Sequence, residues 1–127
     1  HPGFYAKMLG EKIRKHQVSV WLINTGWSGG AYGNGERIPL SYTRAIVSAI
    51  LEGALENCNW KVHPVFHFTM PETCPGVPGK LLDPELSWKD PLEYQLKAKE
   101  LAARFIENFK KYEEEVPAEI LDGAPEI

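Results

Sequence analysis

Arg37 and Thr43 are the side chains of this sequence best suited to grip a small molecule. They stand where a glycine-dense loop runs into a helix, within Asn24 to Arg44, NTGWSGGAYGNGERIPLSYTR. A guanidinium plane stacks on an aromatic base while its charge faces phosphate or solvent. A threonine at a helix start can hydrogen-bond a sugar or a base edge. Plainer roles are also open: Arg37 as a surface partner of Glu36 or Glu52, and Thr43 as a local backbone-bonding residue. On residue types alone the plainer roles have the advantage.

The loop holds Gly26, Gly29, Gly30, Gly33 and Gly35. Without Cβ atoms its backbone can come close to whatever lies against it. Loops of this kind between a strand and a helix often contact a ligand, most commonly a nucleotide. Gly30 to Gly35 has the GxxxxG spacing of a phosphate loop, but Glu36 and Arg37 follow where Lys and Ser or Thr are required. A carboxylate at that place repels phosphate oxygens. GxGxxG fails as well, because Ile38 takes the position of the last glycine. The loop is no triphosphate cradle; a structural turn and the wall or lid of a nucleotide pocket both stay open.

Composition narrows the classes. A chain of 127 residues is about one domain, with 43% hydrophobic and 24% charged residues, and reads as soluble and globular. Fourteen basic against 17 acidic side chains leave a net charge of -3, which implies no broad electropositive face for nucleic acid. The longest apolar run, Val18 to Ile23, is far short of the ~20 residues a membrane span needs. Cys58 and Cys74 are two, far apart and in no CxxC pattern, so reduced thiols in the cytoplasm are expected and a zinc site is not. The sequence opens on His1 without a signal-peptide pattern, and the missing initiator Met suggests a piece of something longer.

The elements that would position the loop follow from hydrophobic spacing. Pro2 to Lys15 carries Phe4, Tyr5, Met8, Leu9 and Ile13 at helical intervals, an amphipathic helix. Val18 to Asn24 (VSVWLIN) reads as a strand apolar on both alternating faces, hence covered on both sides as in an α/β sheet. Pro39 holds Ile38 extended, so the next helix begins at or after it and runs from about Leu40 to Leu51, with Gly53 as its stop. Lys61 to Met70 alternates as one strand with Pro64 near its entry. A proline-rich irregular crossing, Pro71 to Pro91, leads to a long helix from about Asp90 to Glu115. The tail, Pro117 to Ile127, is expected to fray. Phe66, Phe68, Phe105 and Phe109 read as core, and Trp27 as a cap on the core beneath the loop. Two strands are too few for a self-sufficient sheet, and their edges need partners from elsewhere.

NTGWSGGAYGNGERIPLSYTRAI, preceded by HPGFYAKMLGEKI and followed by PVFHFTMPETCPGVP and LAARFIENFKKY, resembles the C-terminal end of the ATP-dependent phosphoenolpyruvate carboxykinases. Several motifs occur in the right order along nearly the whole chain, so the resemblance is far more specific than any single glycine pattern. It implies an α/β fold, the C-terminal part of a nucleotide-binding lobe, with few strands, flanking helices and a long C-terminal helix. Residues 1–127 are then one segment of that domain. It also implies an enzyme that turns oxaloacetate and ATP into phosphoenolpyruvate, carbon dioxide and ADP, an early step of gluconeogenesis in the cytoplasm, using Mg²⁺ and Mn²⁺. Carried over by motif, Arg37 and Ile38 of GERI and Thr43 of YTRAI resemble the family's ATP-binding residues. Arg37 would stack on the adenine, Ile38 would pack the ring and Thr43 would supply a polar contact.

The family's phosphate loop, metal-binding Lys, His and Asp, and oxaloacetate-binding Arg and Tyr have no counterpart motif here. No catalytic and no metal-ligating residue is therefore expected in this segment, which alone should be inactive. His1, His16, His63 and His67 read as packing or surface residues. Glu113, Glu114 and Glu115 read as a solvated helix end that opposes the dipole. The expected partners are ATP, oxaloacetate and the remainder of the parent chain, with neither nucleic acid nor membrane. The alternative from another class is a small interaction module whose loop and long helix recognise a protein without catalysis.

Overall fold

A computed structural model describes residues 1–30 and 33–127; Ala31 and Tyr32, within the glycine loop, lie outside the described residues. The architecture is mixed helix and sheet, an α/β chain with short strands and a long helix near its C-terminus. Helix α1 (Pro2–His16) starts with Pro2 in its first turn, where a missing N–H costs nothing, and His1 Nδ1 accepts from Gly3 N at 3.3 Å. Gln17 ends it in the left-handed region at φ 52°, and Arg14, Lys15 and His16 favour the negative end of the dipole.

The sequence from Val18 to Asn24 forms no strand. Its expected coverage on both faces has no source among the described residues: Leu22 is 81% exposed, and Val18 and Val20 are also open to solvent. Only Trp21 finds cover, 5.6 Å from the Trp60 ring and against the core. A strand is stable when neighbours satisfy its N–H and C=O groups, and without them the extended run has nothing to pair with.

The glycine-dense stretch, expected as a loop, closes as a hairpin. Strand β1 (Trp27–Ser28) pairs antiparallel with β2 (Glu36–Arg37), in the register Trp27 to Arg37 and Ser28 to Glu36. Helix α2 (Leu40–Leu51) follows where the Leu40 to Leu51 spacing places it; Glu52 closes it, and Gly53 is left-handed at φ 71°. The single strand expected over Lys61 to Met70 is instead two, β3 (Trp60–Val62) and β4 (Thr69–Pro71), joined by a turn. Pro64 cannot donate to a ladder and His67 adopts φ 56°, so the chain folds back there. The two ribbons are separate two-stranded sheets.

The proline-rich crossing holds two short helices, α3 (Gly79–Leu82) and α4 (Pro84–Ser87). Asp83 joins this region to β3: its Oδ2 accepts from Lys61 Nζ at 2.6 Å, and its Oδ1 caps α4 at Glu85 N, 3.1 Å. The hydrogen bond to Asp83 holds the Lys61 ammonium above its ordinary range. The long helix α5 (Pro91–Phe109) is capped by Asp90 and passes into a 3₁₀ turn at Lys110–Glu115, where an unbroken helix was expected. The tail does not fray. It forms α6 (Ala118–Leu121), and Glu126 binds back to the 63–68 turn, its N–H donating to Val65 O at 2.8 Å.

Two small cores result. Ala49 of α2, Leu55 and Cys74 form one, and Val65 with Ala98 and Ala102 of α5 forms the other. Phe66 packs on the second as expected, whereas Phe68 and Phe105 are about half exposed. Trp27, expected beneath the loop, is 41% exposed on β1. Cys58 and Cys74 are free thiols, and burial raises the Cys74 pKa.

His63 is the one polar side chain fully inside, 4% exposed among the described residues. Its Nδ1 accepts from Val65 N and Phe66 N, both at 3.1 Å, which leaves the proton on Nε2 to be donated to the Tyr94 hydroxyl at 2.5 Å. A second proton on Nδ1 would break two backbone bonds, and burial lowers the His63 pKa below 6.5. Burial, with Asp83 and Glu85 adding charge, pushes the Tyr94 hydroxyl up to about 12, so it stays protonated.

Because the folded value is the lower one, the contribution of His63 is complete above its unfolded pKa and shrinks as pH falls below it. Replacing His63 with Ala in the full-length protein should cost about 2–4 kcal/mol near pH 7.5, from two orphaned N–H groups. The gap between wild type and variant should narrow toward pH ~5. Urea unfolding at both pH values measures it.

Candidate functional site

A groove of about 500 Å³ opens where the first ribbon meets α2, lined by Thr25, Arg37, Ile38, Pro39, Leu40 and Thr43. Local chemistry builds it. Pro39 sits at φ -57° and ψ 137°, the extended geometry its ring prefers, and its carbonyl accepts from Tyr42 N at 3.0 Å and Thr43 N at 3.4 Å. The chain therefore turns abruptly from β2 into α2. That turn brings Thr43, in the first turn of the helix, back over the residues that end the ribbon. Helix α2 is anchored from below, with Ala49 buried and Ile46 and Ile50 packed into the first core.

The ribbon side is held as firmly. Ile38 N donates to Gly26 O at 2.9 Å, continuing the ladder one step beyond Trp27 and Arg37. Asn24 Oδ1 accepts from Gly26 N at 3.0 Å, an Asx turn that sets the entry of the chain. Two glycines are required by close approach. A Cβ on Gly35 would lie 2.5 Å from Gly30 O and 2.7 Å from Ser28 O. One on Gly29, which has φ 75°, would lie 2.6 Å from the Ser87 carbonyl oxygen, so the hairpin rests directly on the end of α4.

All three residues singled out in the sequence, Arg37, Ile38 and Thr43, line this one groove. The plainer role for Arg37 does not occur: among the described residues it has no ion pair with Glu36, Glu52 or any other acid. Its guanidinium is exposed and uncommitted, beside the apolar bed of Ile38, Pro39 and Leu40. Thr43 is half buried. One cation, two hydroxyls and three apolar residues suit a flat, partly polar ring carrying negative charge at one end. Thr25, Pro39 and Leu40 are additions to the set. The signal for Thr25 was the hairpin itself, since glycines between two extended segments bring residues on either side together.

A second groove, about 470 Å³, lies between β3, β4 and the short helices, among Lys61, Glu72, Lys80 and Asp83. Its best-placed cation, Lys61, is already held by Asp83. Among the described residues no three His, Cys, Asp or Glu side chains gather in a group that could hold a metal ion. Also among them, no helix is long and apolar enough to cross a membrane.

Comparison with known proteins bears on the same residues. A family model described as phosphoenolpyruvate carboxykinase matches residues 1–80, a span that includes the whole groove. The chain is 54% identical over 124 residues to the phosphoenolpyruvate carboxykinase (ATP) of Caldanaerobacter subterraneus. It is 52% identical over 125 residues to that of Thermus thermophilus and 51% identical over 125 to that of Christiangramia forsetii. Each comparison covers 98% of this chain and 24% of the relative, so the chain spans about a quarter of their length. With the family model matched along more than half of its residues, the chain belongs to the phosphoenolpyruvate carboxykinase family.

Proposed function

We propose that residues 1–127 are the C-terminal part of the nucleotide-binding domain of an ATP-dependent phosphoenolpyruvate carboxykinase, and that the groove holds the adenine end of ATP. The observation that carries the reading is the convergence of Arg37, Ile38 and Thr43 on one groove with the Arg37 charge uncommitted. Arg37 stacks on the base, Ile38 packs against the ring and Thr43 makes a polar contact. In the whole enzyme, oxaloacetate loses carbon dioxide, and the enolate oxygen that remains attacks the γ-phosphoryl group of ATP, giving phosphoenolpyruvate and ADP. Positioning and charge stabilisation supply most of the acceleration in such transfers. This chain contributes to the positioning.

The Mg²⁺ and Mn²⁺ of the reaction find no ligand group among the described residues, and no step is assigned to a metal held here. The cytoplasm is the compartment that suits free thiols at Cys58 and Cys74 and a role in gluconeogenesis. A net charge of -3 gives no reason to invoke nucleic acid.

The surface supports a chain continuing into a larger body. Accessible area is 9563 Å², about 2,800 Å² more than a folded monomer of this mass exposes by the usual scaling. The excess is apolar where it is most visible: Phe4, Tyr5 and Leu9 on α1, Leu22 after it, and Leu92 and Leu96 on α5. The remainder of the parent chain is the occupant of these faces in this reading.

Calorimetric titration of ATP into the full-length protein, beside the same titration into the 127-residue chain, tests the proposal. The full-length protein should bind, and the chain should bind far more weakly because its glycine loop lacks the Lys and the Ser or Thr of a phosphate loop. Absence of binding by the full-length protein would refute the reading.

A further inference from the structure

We infer that Thr25 is a further nucleotide-binding residue, donating or accepting a hydrogen bond at the rim of the purine from the ribbon side of the groove. This rests on the adenine reading above and adds a contact that the loop-to-helix junction does not include. Thr25 lines the groove with Arg37 and Thr43, although it lies well before them in the chain. Its place there follows from the register. Trp27 pairs with Arg37, Ser28 with Glu36, and Ile38 N donates to Gly26 O, which brings the chain just before Gly26 alongside the segment Arg37–Pro39.

In an antiparallel pair, residues directly opposite share a face, and residues two apart on one strand share it too. Trp27 and Arg37 share a face in this way, and Thr25, two residues before Trp27, lines the groove together with Arg37. A base lying flat on the Arg37 guanidinium brings its rim within reach of a short hydroxyl side chain there.

The position is prepared before any ligand arrives. Asn24 Oδ1 holds Gly26 N at 3.0 Å and Ile38 N holds Gly26 O at 2.9 Å, so the residue between Asn24 and Gly26 is fixed from both sides. Thr25 is exposed, and no hydrogen bond from its hydroxyl to the protein occurs among the described residues. The hydroxyl is thus available, and ordering it costs little because its β-branched side chain has few rotamers.

The test uses the full-length enzyme and ATP, with Thr25→Val, Thr25→Ser and Arg37→Ala compared. Thr25→Val keeps the shape and removes the hydroxyl; it should weaken ATP binding about five- to tenfold, as loss of one hydrogen bond does. Thr25→Ser keeps the hydroxyl and should remain within about twofold of wild type. The loss should fall on KM for ATP, with kcat at saturating nucleotide moved less.

If Thr25→Val binds ATP as wild type does while Arg37→Ala is weakened, the inference falls and the adenine reading stands. If Thr25→Ser is as weak as Thr25→Val, the methyl group and not the hydroxyl matters, and the proposed bond is overturned. If neither Thr25→Val nor Arg37→Ala changes affinity, the adenine reading itself is wrong.

Discussion

Replacing Arg37 with Ala in the full-length enzyme should raise KM for ATP about 5- to 30-fold while changing KM for oxaloacetate much less, since stacking of a guanidinium on a desolvated ring contributes about 1–2 kcal/mol. The expectation follows from the state of the side chain. Arg37 is exposed on β2 and has no ion-pair partner among the described residues, so its removal orphans no protein charge. A fall in nucleotide affinity then reports the lost contact and not a disturbed salt bridge. Lys at the same position keeps the charge but not the planar fork, and should recover only part of the affinity. Steady-state kinetics with each substrate varied in turn gives the answer. Equal loss for both substrates would point to a general disturbance of the domain.

Gly29→Ala should damage the hairpin and its seat on α4 together. Two independent costs add there. The residue has φ 75°, which an L side chain resists, and the new Cβ would sit 2.6 Å from the Ser87 backbone oxygen. Together they amount to about 2–4 kcal/mol. Gly33 provides the internal control: it has φ 94° and, among the described residues, nothing within 4 Å of a Cβ placed there, so Gly33→Ala carries the backbone cost alone, about 1 kcal/mol. The difference between the two variants isolates the contact between hairpin and α4. Thermal unfolding and ATP titration of both full-length variants should show Gly29→Ala less stable and weaker in binding, because the ribbon that carries Arg37 must lift away from α4. Equal behaviour of the two would mean that this contact does not hold the groove in place.

Much of the helical framework could be read from spacing alone, and the reason is locality. The intervals of α1 and α2 involve residues three and four apart, and Pro2, Pro39 and Asp90 mark starts through their own backbone chemistry. Arg37, Ile38 and Thr43 came together for the same reason, since one proline-enforced turn separates them.

What was misread depends on partners distant in sequence. The pattern at Val18 to Asn24 is that of a buried strand, but no described residue is placed to pair with it, and it stays irregular. Lys61 to Met70 alternates well enough for one strand, yet Pro64 and the left-handed His67 divide it. Thr25 could be found only by knowing that Trp27 pairs with Arg37. The tail is featureless in sequence because its anchors are distant ones, the Glu126 N–H on Val65 O, the Glu126 carboxylate beside His67 Nε2 at 3.2 Å and Glu119 beside Arg14 at 3.7 Å, which no local pattern encodes.

The central claim is that the groove between the first ribbon and α2 receives the purine of ATP while the phosphates are managed by residues outside this chain. A crystal structure of the full-length enzyme with bound ATP tests it most directly. The account predicts the base against Arg37 and Ile38, with Thr43 in hydrogen-bonding distance; a base bound away from these three residues would contradict it.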